Sequence, residues 1–150
     1  MRGGRVAIAA VTAVLLGLVL AGSAQACSCA PTAPAESLAS SDAAIVGELL
    51  GVQPHGASQA GYRYRVLRVY RGGDRIESGA VLTVLSPRGS ASCGLPERLG
   101  KHYGLFLLAS GGRWASGLCG VISPHRLWSA ARKPGGGQAT GSAGGFSCAS

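Results

Sequence analysis

The sequence predicts a small all-β domain, a barrel or a sandwich, stapled by disulfides. Three observations carry that expectation. Five short runs of β-branched, aromatic and aliphatic residues are separated by turns marked with Gly and Pro, and no internal repeat relates them. The five cysteines, at 27, 29, 93, 119 and 148, all follow a leader of export type, and in that setting they are read as disulfide formers. Strands this short and apolar would also expose aggregation-prone edges, which barrel closure removes.

Residues 1–26 read as a secretory signal peptide. Arg2 and Arg5 give the basic start, an apolar run extends from Val6 to Leu20, and Ala24-Gln25-Ala26 is a small-x-small cleavage site. That run is short for a spanning helix, which wants about 20 residues, and no later segment is apolar enough to span. The expectation is therefore a secreted, extracellular chain with no transmembrane segment in its mature form and Cys27 as its first residue. It comprises a domain over 27–131 and a disordered Gly/Ser/Ala-rich tail over 132–150. A lipid-anchored reading of Cys27 fits less well, because Ala24 stands where a lipobox wants Leu.

Cys27-Ser28-Cys29-Ala30-Pro31 follows directly. In an extended segment Cys27 and Cys29 share a face, and they are too close in sequence to pair comfortably with each other, so each should seek a distant partner. Pro31 stiffens the exit and biases Ala30 toward extended backbone. Two bridges would clamp this chain end flat against the domain. One thiol of the five is left over.

Thr32–Ser41 has room for one helical turn. Ala43–Val52 reads as a first strand, with Gly47 a bend or bulge, and Gln53–Gly61 as a loop marked by Pro54, Gly56 and Gly61. Tyr62–Tyr70 is the clearest strand, alternating tyrosines with arginines. Strict alternation sets Tyr62, Tyr64, Val66, Arg68 and Tyr70 on one face and Arg63, Arg65, Leu67 and Val69 on the other. Ala80–Leu85 and Tyr103–Ala109 are the third and fourth strands, and Ser110-Gly111-Gly112 is a hairpin turn into a weaker fifth over Arg113–Leu118. Ser123-Pro124 reads as an N-cap and first helical residue, opening a helix to about Ala131.

Enzyme chemistry finds no support. His55, His102 and His125 lack metal-ligand spacing, no serine sits in a nucleophile-elbow pattern, and the six carboxylates form no close acid–base pair. The chain is read as a non-enzyme without a cofactor. Its excess of basic residues, 14 Lys and Arg against six acids, includes a cluster at Arg63, Arg65, Arg68, Arg71 and Arg75. Basic groups interleaved with aromatics resemble a single-strand nucleic-acid platform. Export argues against nucleic acid, which leaves two alternatives: a surface for anionic envelope or matrix polymers, or an ordinary solvated strand face.

The stretch Cys27 to Trp128 resembles the inhibitory N-terminal domain of the tissue inhibitors of metalloproteinases, within the netrin-like modules. The likeness rests on Cys-Ser-Cys-Ala-Pro, on Ser41-Asp42 before the first strand, and on Tyr64-Arg65-Val66-Leu67-Arg68-Val69-Tyr70-Arg71-Gly72. Ser92-Cys93-Gly94, Leu105-Phe106-Leu107-Leu108, Cys119 and Ser123-Pro124 extend it. The resemblance implies a five-stranded OB-like Greek-key barrel with short flanking helices and bridges Cys27–Cys93 and Cys29–Cys119. It implies an extracellular zinc metalloprotease as partner, whose catalytic zinc is chelated by the α-amino nitrogen and carbonyl oxygen of Cys27. Ser28 would then enter the specificity pocket, with Cys29, Ala30 and Pro31 beside it. The loop with Ser92, Cys93 and Gly94 would flank the same ridge. The third bridge and second domain of the vertebrate inhibitors have no counterpart in this sequence.

Overall fold

The computed structural model describes residues 27–89 and 92–132. The expected leader, Ser90 and Ala91, the tail from Lys133 and Cys148 lie outside the described residues.

Helix α1 (Pro34–Ser40) comes first, then strands β1 (Ala43–His55), β2 (Gln59–Arg71), β3 (Val81–Pro87), β4 (His102–Ser110) and β5 (Arg113–Ala115). A 3-10 turn at Leu118–Gly120, a two-residue strand β6 (Val121–Ile122) and helix α2 (Pro124–Arg132) complete the order. The sheet runs β1-β2-β3-β5-β4-β6, and β1 also pairs with β4, so five strands close on themselves. This ring is the OB-like barrel expected from the resemblance. Its closing seam is the parallel contact of β3 with β5, which is only Val84 against Trp114 and Leu85 against Ala115.

Two apolar clusters result from the period-two alternation of the strands. Ile45, Leu49, Tyr62, Tyr64, Val66, Val84, Leu105 and Leu107 fill the barrel. Ala44, Val46 and Phe106 face outward and pack beneath Leu38 of α1 and Leu127 of α2, so the helices cover the outer side of β1 and β4. Ser123 caps α2 as its sequence suggests: its Oγ accepts the N–H of Arg126 at 3.4 Å and its carbonyl that of Leu127 at 3.2 Å. Gly111 and Gly112 both take positive φ in the two-residue β4–β5 turn, where a side chain would be strained.

Several expectations are corrected. The supposed loop Gln53–Gly61 is mostly strand: Gln53 pairs with Gly61, Pro54 with Ala60 and His55 with Gln59. Pro54 is tolerated because β4 stops pairing with β1 at Glu48, leaving no ladder on its other side to break. α1 is a full seven-residue helix. The fifth strand ends at Ala115, because Ser116 turns to donate its N–H to Leu85 O and its Oγ–H to Phe106 O.

Strict alternation also fails along β2. Register shifts leave Leu67 and Tyr70 without partners, while Val46 faces Arg68 and Ala44 faces Arg71. Arg68 therefore leaves the Tyr62–Tyr64 face, and Val69 turns inward in its place. The bulge expected near Gly47 is present, and a Cβ there would stand 3.1 Å from that of Tyr64.

Candidate functional site

The site is built where the two closing strands end. β3 runs out at Pro87 and β5 at Ala115, and each leads into a loop that carries one receiving cysteine. Past β3, Gly89 O accepts the N–H groups of Ser92 at 3.2 Å and Gly94 at 3.0 Å. This tight turn holds Cys93 at φ 59, in the left-handed region, while Leu95 is sunk into the core and donates its N–H to Ser86 Oγ. Gly94 has no room for a side chain, since a Cβ would run into Pro87 O and lie 2.7 Å from Gly89 O.

Past β5, Gly120 N–H returns to Gly117 O at 2.9 Å and closes the 3-10 turn around Cys119. The two loops are joined directly, because Leu118 N–H donates to Cys93 O at 2.8 Å. Gly117 permits that approach, as a Cβ on it would lie 3.2 Å from the same oxygen.

Onto this joined pair the entering segment is bonded twice. Cys27 bridges to Cys93 with Cα atoms 5.6 Å apart, and Cys29 bridges to Cys119 at 5.3 Å. Both pairings are those the resemblance implied. The bridges straddle the β3–β5 seam, one anchored on each side. Between them Ser28 sits in an isolated β-bridge and is exposed, as are Cys29, Ala30 and Pro31. Of the remaining expected contact residues, Ser92 is exposed, whereas Cys93 and Gly94 are buried beneath the ridge. The sequence reading missed Leu118, Gly117 and Ser86, which hold the receiving loops. Gly117 and Gly120 on either side of Cys119 were the available signal for a tight turn.

The β1–β2 hairpin curls toward the same end, where Arg88 N–H donates to Ser58 O at 3.0 Å. Nearby, Tyr62 O–H donates to Glu97 Oε1 at 3.1 Å. Burial, and then this carboxylate, push the Tyr62 phenol up to about 12. Burial raises Tyr64 as well, and its hydroxyl has no partner among the described residues.

The arginines form a separate feature. Arg63, Arg65, Arg68 and Arg71 stand opposite Gly51, Glu48, Val46 and Ala44 of β1 and are all exposed. The two bulges thus gather onto one outer face four guanidinium groups that simple alternation would divide. Among the described residues none of them has an ion-pair partner.

Among the described residues no three His, Cys, Asp or Glu side chains converge as a metal site, and no helix is long and apolar enough to cross a membrane. The family model for tissue inhibitor of metalloproteinase matches residues 25–142. The chain belongs to that family. The match spans the clamp, the barrel and α2, and it supports a metalloproteinase-inhibitor role and a non-enzymatic one. A search of curated proteins returned no match.

Proposed function

We propose that this member of the tissue inhibitor of metalloproteinase family is secreted, is cleaved before Cys27, and inhibits an extracellular zinc metalloprotease through the α-amine that cleavage creates. The observation that carries this reading is the double anchoring of Cys27 and Cys29 to two loops that are themselves hydrogen-bonded. A catalytic zinc keeps one open position, normally filled by water. The Cys27 nitrogen and carbonyl oxygen displace that water as a bidentate pair. An α-amine has a reference pKa of about 7.7–8.0, so its neutral ligating form is reached near neutrality at little cost. Each bridge closes a long loop, with separations of 66 and 90 residues. In the chain-entropy model such a loop is worth roughly 4 kcal/mol. The same bonds hold the chelating end in its bound shape beforehand, which reduces the ordering cost of binding. Ser28 enters the pocket beside the scissile position, Cys29, Ala30 and Pro31 extend the contact, and Ser92 flanks it on ground supplied by Cys93 and Gly94.

The test is a variant carrying one extra residue before Cys27. It should lose inhibition of every zinc metalloprotease that the native protein inhibits, while melting at the same temperature. Undiminished inhibition by this variant rules out chelation.

A second reading is favoured by the gathered arginines. The outer face of β2 is a binding surface for a linear anionic polymer of the envelope or matrix, with Arg63, Arg65, Arg68 and Arg71 as its contacts. The supporting observation is that these four guanidinium groups share one exposed face and, among the described residues, form no ion pair, although Glu48 stands across from Arg65, and such a row of cations attracts a chain of anions.

A further inference from the structure

The five-residue clamp is too small to recognise a protein alone. Specific interfaces bury roughly 800 Å² per partner, drawn from some 20–30 residues a side. A groove of about 270 Å³ lies between α1 and α2, floored by Ala33, Pro34, Ala35 and Ala130 and walled by His125 and Arg126. Both of its sides leave from one disulfide. Ala33 follows Cys29 by four residues and Pro124 follows Cys119 by five, and these two cysteines are bridged. At no more than about 3.6 Å per residue, Ala33 and the wall residues His125 and Arg126 stay within about 25 Å of the bridge. The groove therefore lies along the two segments that leave the Cys29–Cys119 bridge, the first of which is the continuation of the clamp itself.

Its chemistry is one-sided. The lining holds no carboxylate, since Glu36 of α1 is not part of it, and both exposed wall side chains are nitrogen bases. His125 is further held by Trp128, with ring centroids 5.8 Å apart, so the wall is arranged before any partner arrives.

We infer that this groove is a second contact for the inhibited metalloprotease. It takes an acidic rim segment from the side of the cleft that the clamp enters after the zinc, with a carboxylate against Arg126 and a small apolar side chain on the alanine–proline floor. The inference rests on the clamp reading above and adds to it a rule of selectivity. Proteases with an acidic rim on that side are preferred over those with a basic one.

The experiment compares the native protein, Arg126→Glu, Ala33→Trp and the N-terminally extended chain against purified zinc metalloproteases of both rim types over a salt series. Arg126 and Ala33 are exposed, and melting curves check that both variants fold. Arg126→Glu should weaken inhibition of acid-rimmed enzymes roughly ten-fold at low salt, with the gap closing as the Debye length falls below about 8 Å. It should leave or improve inhibition of basic-rimmed enzymes. Ala33→Trp, which fills the floor, should weaken the acid-rimmed group at every salt concentration. Equal inhibition by native and Arg126→Glu proteins, or an equal loss on both rim types, overturns the groove while the extended chain reports separately on chelation. If the native protein inhibits no enzyme, the clamp reading fails and the groove falls with it.

Discussion

The carbonyl oxygen of Cys93 accepts the backbone N–H of Leu118 at 2.8 Å, so the loops that receive Cys27 and Cys29 are bonded to each other as well as to the entering chain. The spacing of the two anchors is set by the barrel and not by the clamp. Disturbing either loop should therefore move the Cys27–Cys29 segment without touching it.

Gly94→Ala tests that dependence. The new methyl group meets Pro87 O and Gly89 O, both backbone atoms, so the Cys93 turn must shift. We expect a loss of about 1–3 kcal/mol, equivalent to a fall of several degrees or more in melting temperature for a domain near 100 residues, at about 4–8 °C per kcal/mol. Inhibition should weaken in parallel. Gly51→Ala is the control, since nothing lies within 4 Å of its Cβ position, and its melt should be nearly unchanged.

Ser28 reports on the pocket. Under the proposed chelation, Ser28→Gly would remove a side-chain contact and leave both ligating atoms, so inhibition should weaken by about 1–2 kcal/mol, or roughly 5–30-fold. Ser28→Arg should divide a protease panel by pocket depth, retaining deep-pocketed enzymes and losing shallow ones. Neither change should alter the melt, because Ser28 is exposed.

The arginine face predicts a salt signature. Retention of the protein on an immobilised polyanion should fall linearly on a log–log plot against salt concentration. Replacing Arg63, Arg65, Arg68 and Arg71 by Gln should reduce that slope by roughly one for each residue removed. Retention that ignores salt, or survives all four changes, makes these side chains ordinary solvated surface.

Tyr62 predicts an alkaline limit. Its folded pKa of about 12 lies above the unfolded value of 10.0, so the folded state holds its proton more tightly. The stability this contributes is fully present below pH 10 and is lost as pH rises toward 12. Tyr62→Phe should flatten that limb in pH-dependent denaturant melts, at the expense of the Glu97 hydrogen bond at neutral pH. A limb unchanged in Tyr62→Phe would assign the effect elsewhere, with buried Tyr64 the next group to replace.

Much of the barrel was legible because its signals are local. Tyr62, Tyr64 and Val66 alternate, Gly111-Gly112 announces a hairpin, and Ser123-Pro124 announces α2. Gly56 marked a true turn, but Pro54 and Gly61 were misleading, since composition marks a loop while the paired ends of a β-hairpin accept both. Leu67 and Tyr70 defeated the alternation for a different reason. A bulge is imposed by the pairing strand, and nothing in the residues of β2 alone signals it. The clamp cysteines were visible, but the Cys93–Leu118 bond joins residues whose proximity depends on barrel closure, and pattern alone could not supply that.

The bridges straddle a seam that is only two residue pairs long, and this makes Cys27 and Cys29 answerable to two masters. Losing either cysteine would unfasten the weakest edge of the barrel as well as its business end. Sequence drift in the pentapeptide is therefore channelled. The cysteines are tied down by folding whatever the partner, while Ser28, exposed between them, is not held by the fold in the same way. On the proposed reading, a lineage meeting a new protease could retune the protein by a single letter, on a frame that stability keeps in repair.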